Sequence, residues 1–327
     1  MSREAVVVAI RDAARITAIC HESPDADTLG AAIALRIAAE RLGKQAEVVA
    51  ADPVPSWLDF LPGIGEVQTR PQLEPDVAVV LDGPLDRTGA IAQECGDWLA
   101  RARVVNVDHH VSNDGSGAAI AFVDATAAAT CEMVAELLPD LGVPIDRVLA
   151  TALTAGIVQD THTFAHPNAT PRTLRVAADL VEAGAPLSTI HRAIYADKPF
   201  STLALWGRIL GGLDQRRDGR IVHASMEAAM VEAVGAEPNA AEGFVDLLAS
   251  TKSADVTVLF KEQTATEIRV SVRTSARADA VAITTAFGGG GHARAAGCTV
   301  RQPLAAARTA VLDECERELD RADARSH

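Results

Sequence analysis

The 327-residue sequence predicts an α/β fold: a doubly wound parallel sheet, followed by a smaller α/β domain. Three observations predict it. Short aliphatic runs near residues 16–20, 45–50, 77–81 and 104–107 alternate with segments of helical periodicity, the pattern of parallel strands joined by helices. Three of those runs stop abruptly at imidazoles or carboxylates, and in an open parallel sheet ligands bind outside the carboxyl ends of the strands. Beyond residue 214 the pattern changes to the apolar run IVHASM and two alternating, half-buried runs, 255–261 and 267–274.

Taken in order, residues 1–16 read as an amphipathic helix without a signal-peptide cleavage pattern. Ile16–Cys20 suits a central strand, and Pro24 prevents its continuation. Leu29, Ile33, Ile37 and Leu42 then recur at helical spacing, with Gly43 closing the helix. His21, Asp25 and Asp27 therefore lie on a strand-to-helix turn, with His21 and Asp25 close enough to share one ion. Asp27 by itself reads as a helix cap. Residues 45–50 form a second strand, and 51–75 read as an irregular connection with a helical turn near Trp57. The third strand, 77–81, ends at Asp82, where Gly83 and Pro84 force a turn.

Val104–Val107 reads as a buried strand that presents Asp108, His109 and His110 at its end. A turn-rich loop, SNDGSG, and a short strand at 121–123 follow. Helices are expected over 125–138, 145–158 and 171–183, the second ending at Asp160. Residues 187–213 read as one or two helices broken by Pro199, and 214–220 as a polar turn. Residues 243–250 read as helical. The chain closes with AFGGGGHARAAG and a helix from 304 to about 322. The expected domains are 1–186, a helical linker over 187–214, and 215–327.

Hydrophobic content of 48% indicates a globular chain, and a net charge of −14 argues against a broad basic surface for long nucleic acid. The five cysteines are scattered without CxxC pairing, so neither a disulfide framework nor a zinc ribbon is indicated. No apolar stretch approaches the ~20 residues of a membrane span. A cytoplasmic protein with reduced thiols, not bound to membrane, is expected.

The candidates His21, Asp25, Asp27, Asp82, His109 and Asp160 combine four carboxylates with two imidazoles. Gathered in one crevice, such carboxylates repel one another unless cations neutralise them. Two divalent cations roughly 3.5–4 Å apart, bridged by one carboxylate, cleave phosphoesters by lowering the pKa of a water from ~15.7 toward neutrality. The oxygen and nitrogen ligand set, lacking thiolate, suits two manganese ions, with magnesium, cobalt or ferrous iron as substitutes. The run Gly288–Gly291 lets backbone N–H groups approach an anion, with His292 as a further donor. A bare run of four glycines also reads as a flexible loop. No GK[ST] follows, so it is not a P-loop.

HESPDADTLGA, Asp82, VDHH and GIVQDTHTF, in that order, resemble the four motifs of the DHH phosphoesterases. GGGGHARAAG is similar to the signature of the DHHA1 domain that often follows them. The resemblance spans nearly the whole chain and is greatest to the NrnA-type oligoribonucleases (nano-RNases) and 3′-phosphoadenosine-5′-phosphate (pAp) phosphatases, whose actinobacterial relatives also act on cyclic dinucleotides. It implies an active site in a cleft between the two domains. It implies one manganese on His21, Asp25 and Asp82, and another on Asp27, Asp82, His109 and Asp160, with Asp82 bridging. It implies that His110 faces the scissile phosphate while Asp108 orients the loop or a histidine. Arg273, the backbone of Gly289, Gly290 and Gly291, and His292 would hold the substrate's terminal phosphate.

One departure stands in the fourth motif. Actinobacterial relatives carry a small residue, Ser and a nearby Arg, where this chain has His162, Thr163 and Ala165. His162 reads as an added phosphate donor or leaving-group acid, or, as slightly favoured, a satisfied surface histidine. The function expected is a manganese-dependent hydrolase of short RNA such as pApA and of pAp, acting as a homodimer. The alternatives are a phosphodiesterase for cyclic di-AMP and, in another class, a non-catalytic nucleotide sensor.

Overall fold

The computed structural model describes residues 3–237, 239–241 and 243–325. They form two compact units, divided between Asp197 and Lys198. Met1 and Ser2, the first residues of the expected N-terminal helix, lie outside the described residues.

In the first unit, α1 (Arg3–Asp12) buries Val6, Val7, Ala9 and Ile10. The strands are β1 (Arg15–Ile19), β2 (Gln45–Val49), β3 (Val77–Leu81), β4 (Arg103–Asp108) and β5 (Ile120–Val123). The remaining helices are α2 (Ala26–Arg41), α3 (Ala90–Glu94), α4 (Gly96–Leu99), α5 (Thr130–Leu141), α6 (Arg147–Asp160), α7 (Pro171–Glu182) and α8 (Leu187–His191). All five strands are parallel, in the order β2-β1-β3-β4-β5. Every residue of β3 is buried, because helices cover both faces of the sheet, which is why it reads as an unbroken aliphatic run. Helix α2 is buried on nearly every side against the sheet, α5 and α6, and its alanines permit that approach.

In the second unit, α9 (Phe200–Gly211) is followed by β6 (Asp214–Arg216), β7 (Ile221–Met226), α10 (Ala228–Val234), α11 (Phe244–Ala249), β8 (Val256–Thr264) and β9 (Glu267–Thr274). Then come α12 (Ala280–Thr284), β10 (Gly290–His292), β11 (Ala295–Val300) and α13 (Leu304–Arg325). The sheet order is β10-β11-β9-β8-β7-β6, with only β7 and β8 parallel. Its core joins Ile221, Phe260, Val270 and Cys298 to Val311, Cys315 and Leu319 of α13. No helix among the described residues is long and apolar enough to cross a membrane, and the cysteines are free.

Several expectations need correction. The helix expected over 125–138 begins at Thr130 and runs to Leu141. Asp124 accepts from both the amide and the hydroxyl of Thr126, a local turn that competes with helix. Of the expected polar turn at 214–220, residues 217–220 do turn, but Asp214–Arg216 form the edge strand β6, paired with the start of β7. The glycine run is no free loop, because Gly290–His292 pair with Ala295–Gly297 as a hairpin. Helices α3, α4, α10 and α12 and strand β11 carry too little periodicity to be read from sequence. The connection at 51–75 holds the turn Ser56–Leu58 near Trp57 and a second at Ile64–Glu66.

A candidate metal centre at the strand ends

β1 and β3 are neighbours although β2 lies between them in the chain, so strand order reverses there. In a sheet of this order the ligand crevice opens at that switch point. His21 follows β1 and Asp82 follows β3, and the registers Ile19↔Val80 and Leu81↔Val107 bring Asp82 level with the end of β4.

The six candidate ligands converge. The Nε2 of His21 lies 3.4 Å from Asp82 Oδ2 and 3.7 Å from Asp25 Oδ1. The Nε2 of His109 lies 3.3 Å from Asp82 Oδ1, 3.2 Å from Asp160 Oδ2 and 4.0 Å from Asp27 Oδ2. Two sets thus form, His21/Asp25/Asp82 and Asp27/Asp82/His109/Asp160, each with its ligand atoms within 4.8 Å of one another. Asp82 belongs to both and turns one oxygen to each. Its backbone is left-handed at φ 62°, a conformation that aspartate tolerates better than most residues.

Local structure fixes each group. Asp25, not Asp27, caps α2 by accepting from the amides of Asp27 and Thr28. Asp27 instead accepts from Thr130 N at 2.6 Å and Cys131 N at 2.8 Å, the N-terminus of α5, whose dipole favours an anion. His21 Nδ1 lies 2.7 Å from the Glu22 carbonyl, which can only accept, so that nitrogen carries the proton and Nε2 is left for a cation. His110 Nδ1 lies 2.7 Å from Asp108 Oδ1, so Asp108 orients His110. Asp108 is itself held by Asn113, which also binds Asn106.

The donor set fits divalent cations on three counts. His109 Nε2 is buried near three carboxylates yet makes no hydrogen bond of acceptable geometry to any, as expected of a nitrogen aimed at a shared ion. Burial opposes charge on both imidazoles, but Asp25 and Asp82 push His21 up to about 11, and Asp160 and Asp82 push His109 up to about 12. A strong positive charge is therefore favoured between these carboxylates. Burial also keeps Cys20, pushed up to about 12, from offering a thiolate. Although burial opposes it, His109 and His21 hold Asp82 well below the usual carboxylate range.

A pH dependence follows. Burial, aided by the Asp82 charge, pushes Asp160 up to about 6. A carboxyl ligates only when ionised, so divalent-cation affinity should fall more steeply as pH drops through about 6. Cation binding at neutral pH should also release protons from His21 and His109. Calorimetry in buffers of different ionisation enthalpy measures that release; a buffer-independent heat would contradict it.

The other expected site residues lie in the second unit. Arg273, Ala295 and His292 are in register across β9, β11 and β10, so Arg273 and His292 share one sheet face about 10 Å apart. Arg273 Nε donates to Asp246 Oδ1 at 2.7 Å. Gly290 has open space above it, whereas a Cβ at Gly291 (φ 140°) would sit 2.6 Å from the Ala295 carbonyl. His162, read as a surface histidine, is half-buried with its ring 4.5 Å from that of Tyr195.

Four residues with a part in the site escape sequence reasoning. Thr130 donates to Asp82 Oδ1 at 3.1 Å, and Gln159 accepts from Ala26 N, tying α6 to the start of α2. Neither carries a sequence signal. Asn106, alone in an aliphatic strand, and Gly156, inside an otherwise strong helix, do carry one.

Comparison with known proteins agrees with this geometry. Residues 15–157 match the DHH family, N-terminal domain, and residues 223–321 match the DHHA1 domain. A bifunctional oligoribonuclease and PAP phosphatase NrnA from Thermus thermophilus is 33% identical over 92% of this chain and 89% of its own length. One of the same name from Bacillus subtilis is 25% identical over 86% of this chain and 87% of its own. The fold is shared with an exopolyphosphatase-related protein from Bacteroides fragilis: TM-score 0.90, 22% identity, 98% of this chain and 97% of that one.

Proposed function

The chain belongs to the DHH family of phosphoesterases, and from that premise we propose a manganese-dependent hydrolase that degrades short oligoribonucleotides such as pApA to 5′-mononucleotides and dephosphorylates pAp to AMP. The observation that carries the reading is Asp82, with one oxygen turned to each of two ligand sets. Two divalent ions, when bound, supply an activated water and neutralise charge at phosphorus. His21, Asp25 and Asp82 would hold one ion, and Asp27, Asp82, His109 and Asp160 the other. His110, steadied by Asp108, would face a phosphate oxygen of the substrate. Arg273, His292 and the backbone at Gly289, Gly290 and Gly291 would bind a terminal phosphate. The names of the relatives in Thermus thermophilus and Bacillus subtilis support the same substrates. The reading places the enzyme in the cytoplasm as a homodimer.

Chromatographic product analysis tests it, with pApA, pAp and cyclic di-AMP in separate reactions, each with manganese and with EDTA. Manganese-dependent AMP from pApA and pAp, with slower loss of cyclic di-AMP, is expected. Faster loss of cyclic di-AMP would move the protein to second-messenger turnover. No hydrolysis of any of the three, with manganese bound, would favour a nucleotide sensor.

A further inference from the structure

Immediately after Asp160 the chain takes an unusual path. His162, Thr163 and Phe164 are consecutively left-handed, with φ of 48°, 55° and 65°. A helix commonly ends on one left-handed residue, usually glycine or asparagine. Three in succession, one of them β-branched, persist only where their surroundings enforce them. The turn folds back on two carbonyls at the end of α6, with His162 N donating to Gln159 O at 3.1 Å and Thr163 N to Val158 O at 2.8 Å. The Tyr195 hydroxyl lies 2.8 Å from the same Gln159 carbonyl and 3.3 Å from the same Val158 carbonyl. Thr163 Oγ1 lies 2.8 Å from His191 Nδ1. The ring of His162 packs between Tyr195, at 4.5 Å, and His166, at 5.2 Å. Tyr195 itself sits in the π-helical turn Arg192–Ala196, a distortion that often accompanies functional sites.

We propose that Tyr195 and His191 are positioning residues that brace the 161–166 turn and thereby hold the Asp160 carboxylate where it ligates a cation. Tyr195 bonds the backbone carbonyls of Val158 and Gln159, just before Asp160, and His191 bonds the side chain of Thr163, three residues after it. The inference rests on the reading of Asp160 as a ligand. Without the Tyr195 hydroxyl, the left-handed turn relaxes and Asp160 spends less time aimed at His109. Effects on cation affinity should then exceed effects on folding.

The test measures manganese binding to the full chain by calorimetry, with thermal unfolding in EDTA alongside. Tyr195→Phe keeps the ring and removes only the hydroxyl. It should weaken one of the two cations about tenfold, with turnover recovered at higher manganese, while unfolding in EDTA moves little. Adding Thr163→Asn should restore much of that affinity, since asparagine tolerates the left-handed conformation and can still bond His191. A merely structural tyrosine would give no such rescue. If Tyr195→Phe folds poorly, His191→Ala, which removes the other half of the brace, should show the same selective loss. Asp160→Asn is the control. If it loses a cation while the brace variants bind like the parent, the inference falls and the metal reading stands. If Asp160→Asn also binds both cations normally, the ligand reading itself fails.

Discussion

Asp82→Asn is expected to lower kcat by about three orders of magnitude and to abolish tight binding of at least one of the two cations. Asparagine preserves the shape of the side chain and tolerates the left-handed backbone at φ 62°, so the change removes charge and little else. Asp82 is 3% exposed and stands between His21 and His109, with no other carboxylate shared by both ligand sets. Bound cations supply several kcal/mol of transition-state stabilisation, and each 1.36 kcal/mol is about a tenfold change in rate. Asp82→Ala should fall as far in turnover, and further in thermal stability, because alanine pays about 1–2 kcal/mol for the left-handed conformation. Metal content, kcat and Tm measured on both variants separate charge from backbone. Full occupancy of both sites with turnover near that of the parent would remove Asp82 from the bridging role.

Gly156→Ala is expected to be almost as damaging, although residue 156 contributes no side chain to the chemistry. A Cβ there would lie 2.5 Å from Cys131 Sγ and 2.8 Å from Asp27 Cα, and would collide with Asp27 Oδ1. Alanine usually improves a helix interior by up to about 1 kcal/mol over glycine. At this position overpacking outweighs that gain, at a cost of about 1–3 kcal/mol or more. For a domain of this size that is roughly 3–10 °C in Tm. Asp27 can move away only by breaking its bonds to Thr130 and Cys131, so cation affinity should fall together with stability. Gly207→Ala, on an exposed part of α9 with nothing within 4 Å of the added carbon, is the control and should be neutral or stabilising. Equal Tm and equal manganese affinity in Gly156→Ala would show that the α2–α6 contact is looser than it looks.

The difference between these two positions shows how much of the site is legible in the sequence. Asp82 can be found without coordinates, because a buried aliphatic run that ends in a carboxylate before Gly-Pro is a strand terminus carrying chemistry. The same signal marks His21, His109 and, at the end of an apolar helix, Asp160. Gly156 offers only a hint, and Thr130 and Tyr195 offer none, because their partners lie far away in the chain. Asp27 illustrates the limit well. Its place just before a helical pattern suggests a cap for α2, yet the cap is Asp25, and Asp27 reaches across to the start of α5.

By itself, the sequence determined the parallel α/β class, the nature of the donor atoms and the elements whose ends carry them. Those properties follow from local periodicity and side-chain chemistry, which need no knowledge of neighbours. Only the tertiary structure decided the strand order that opens the crevice between β1 and β3, and which oxygen of Asp82 faces which imidazole. It also decided that Gly290–His292 is an edge strand and that a left-handed turn follows Asp160. Each of these depends on packing and hydrogen bonding between segments distant in the chain, where several arrangements of the same local pattern are open until the core is assembled.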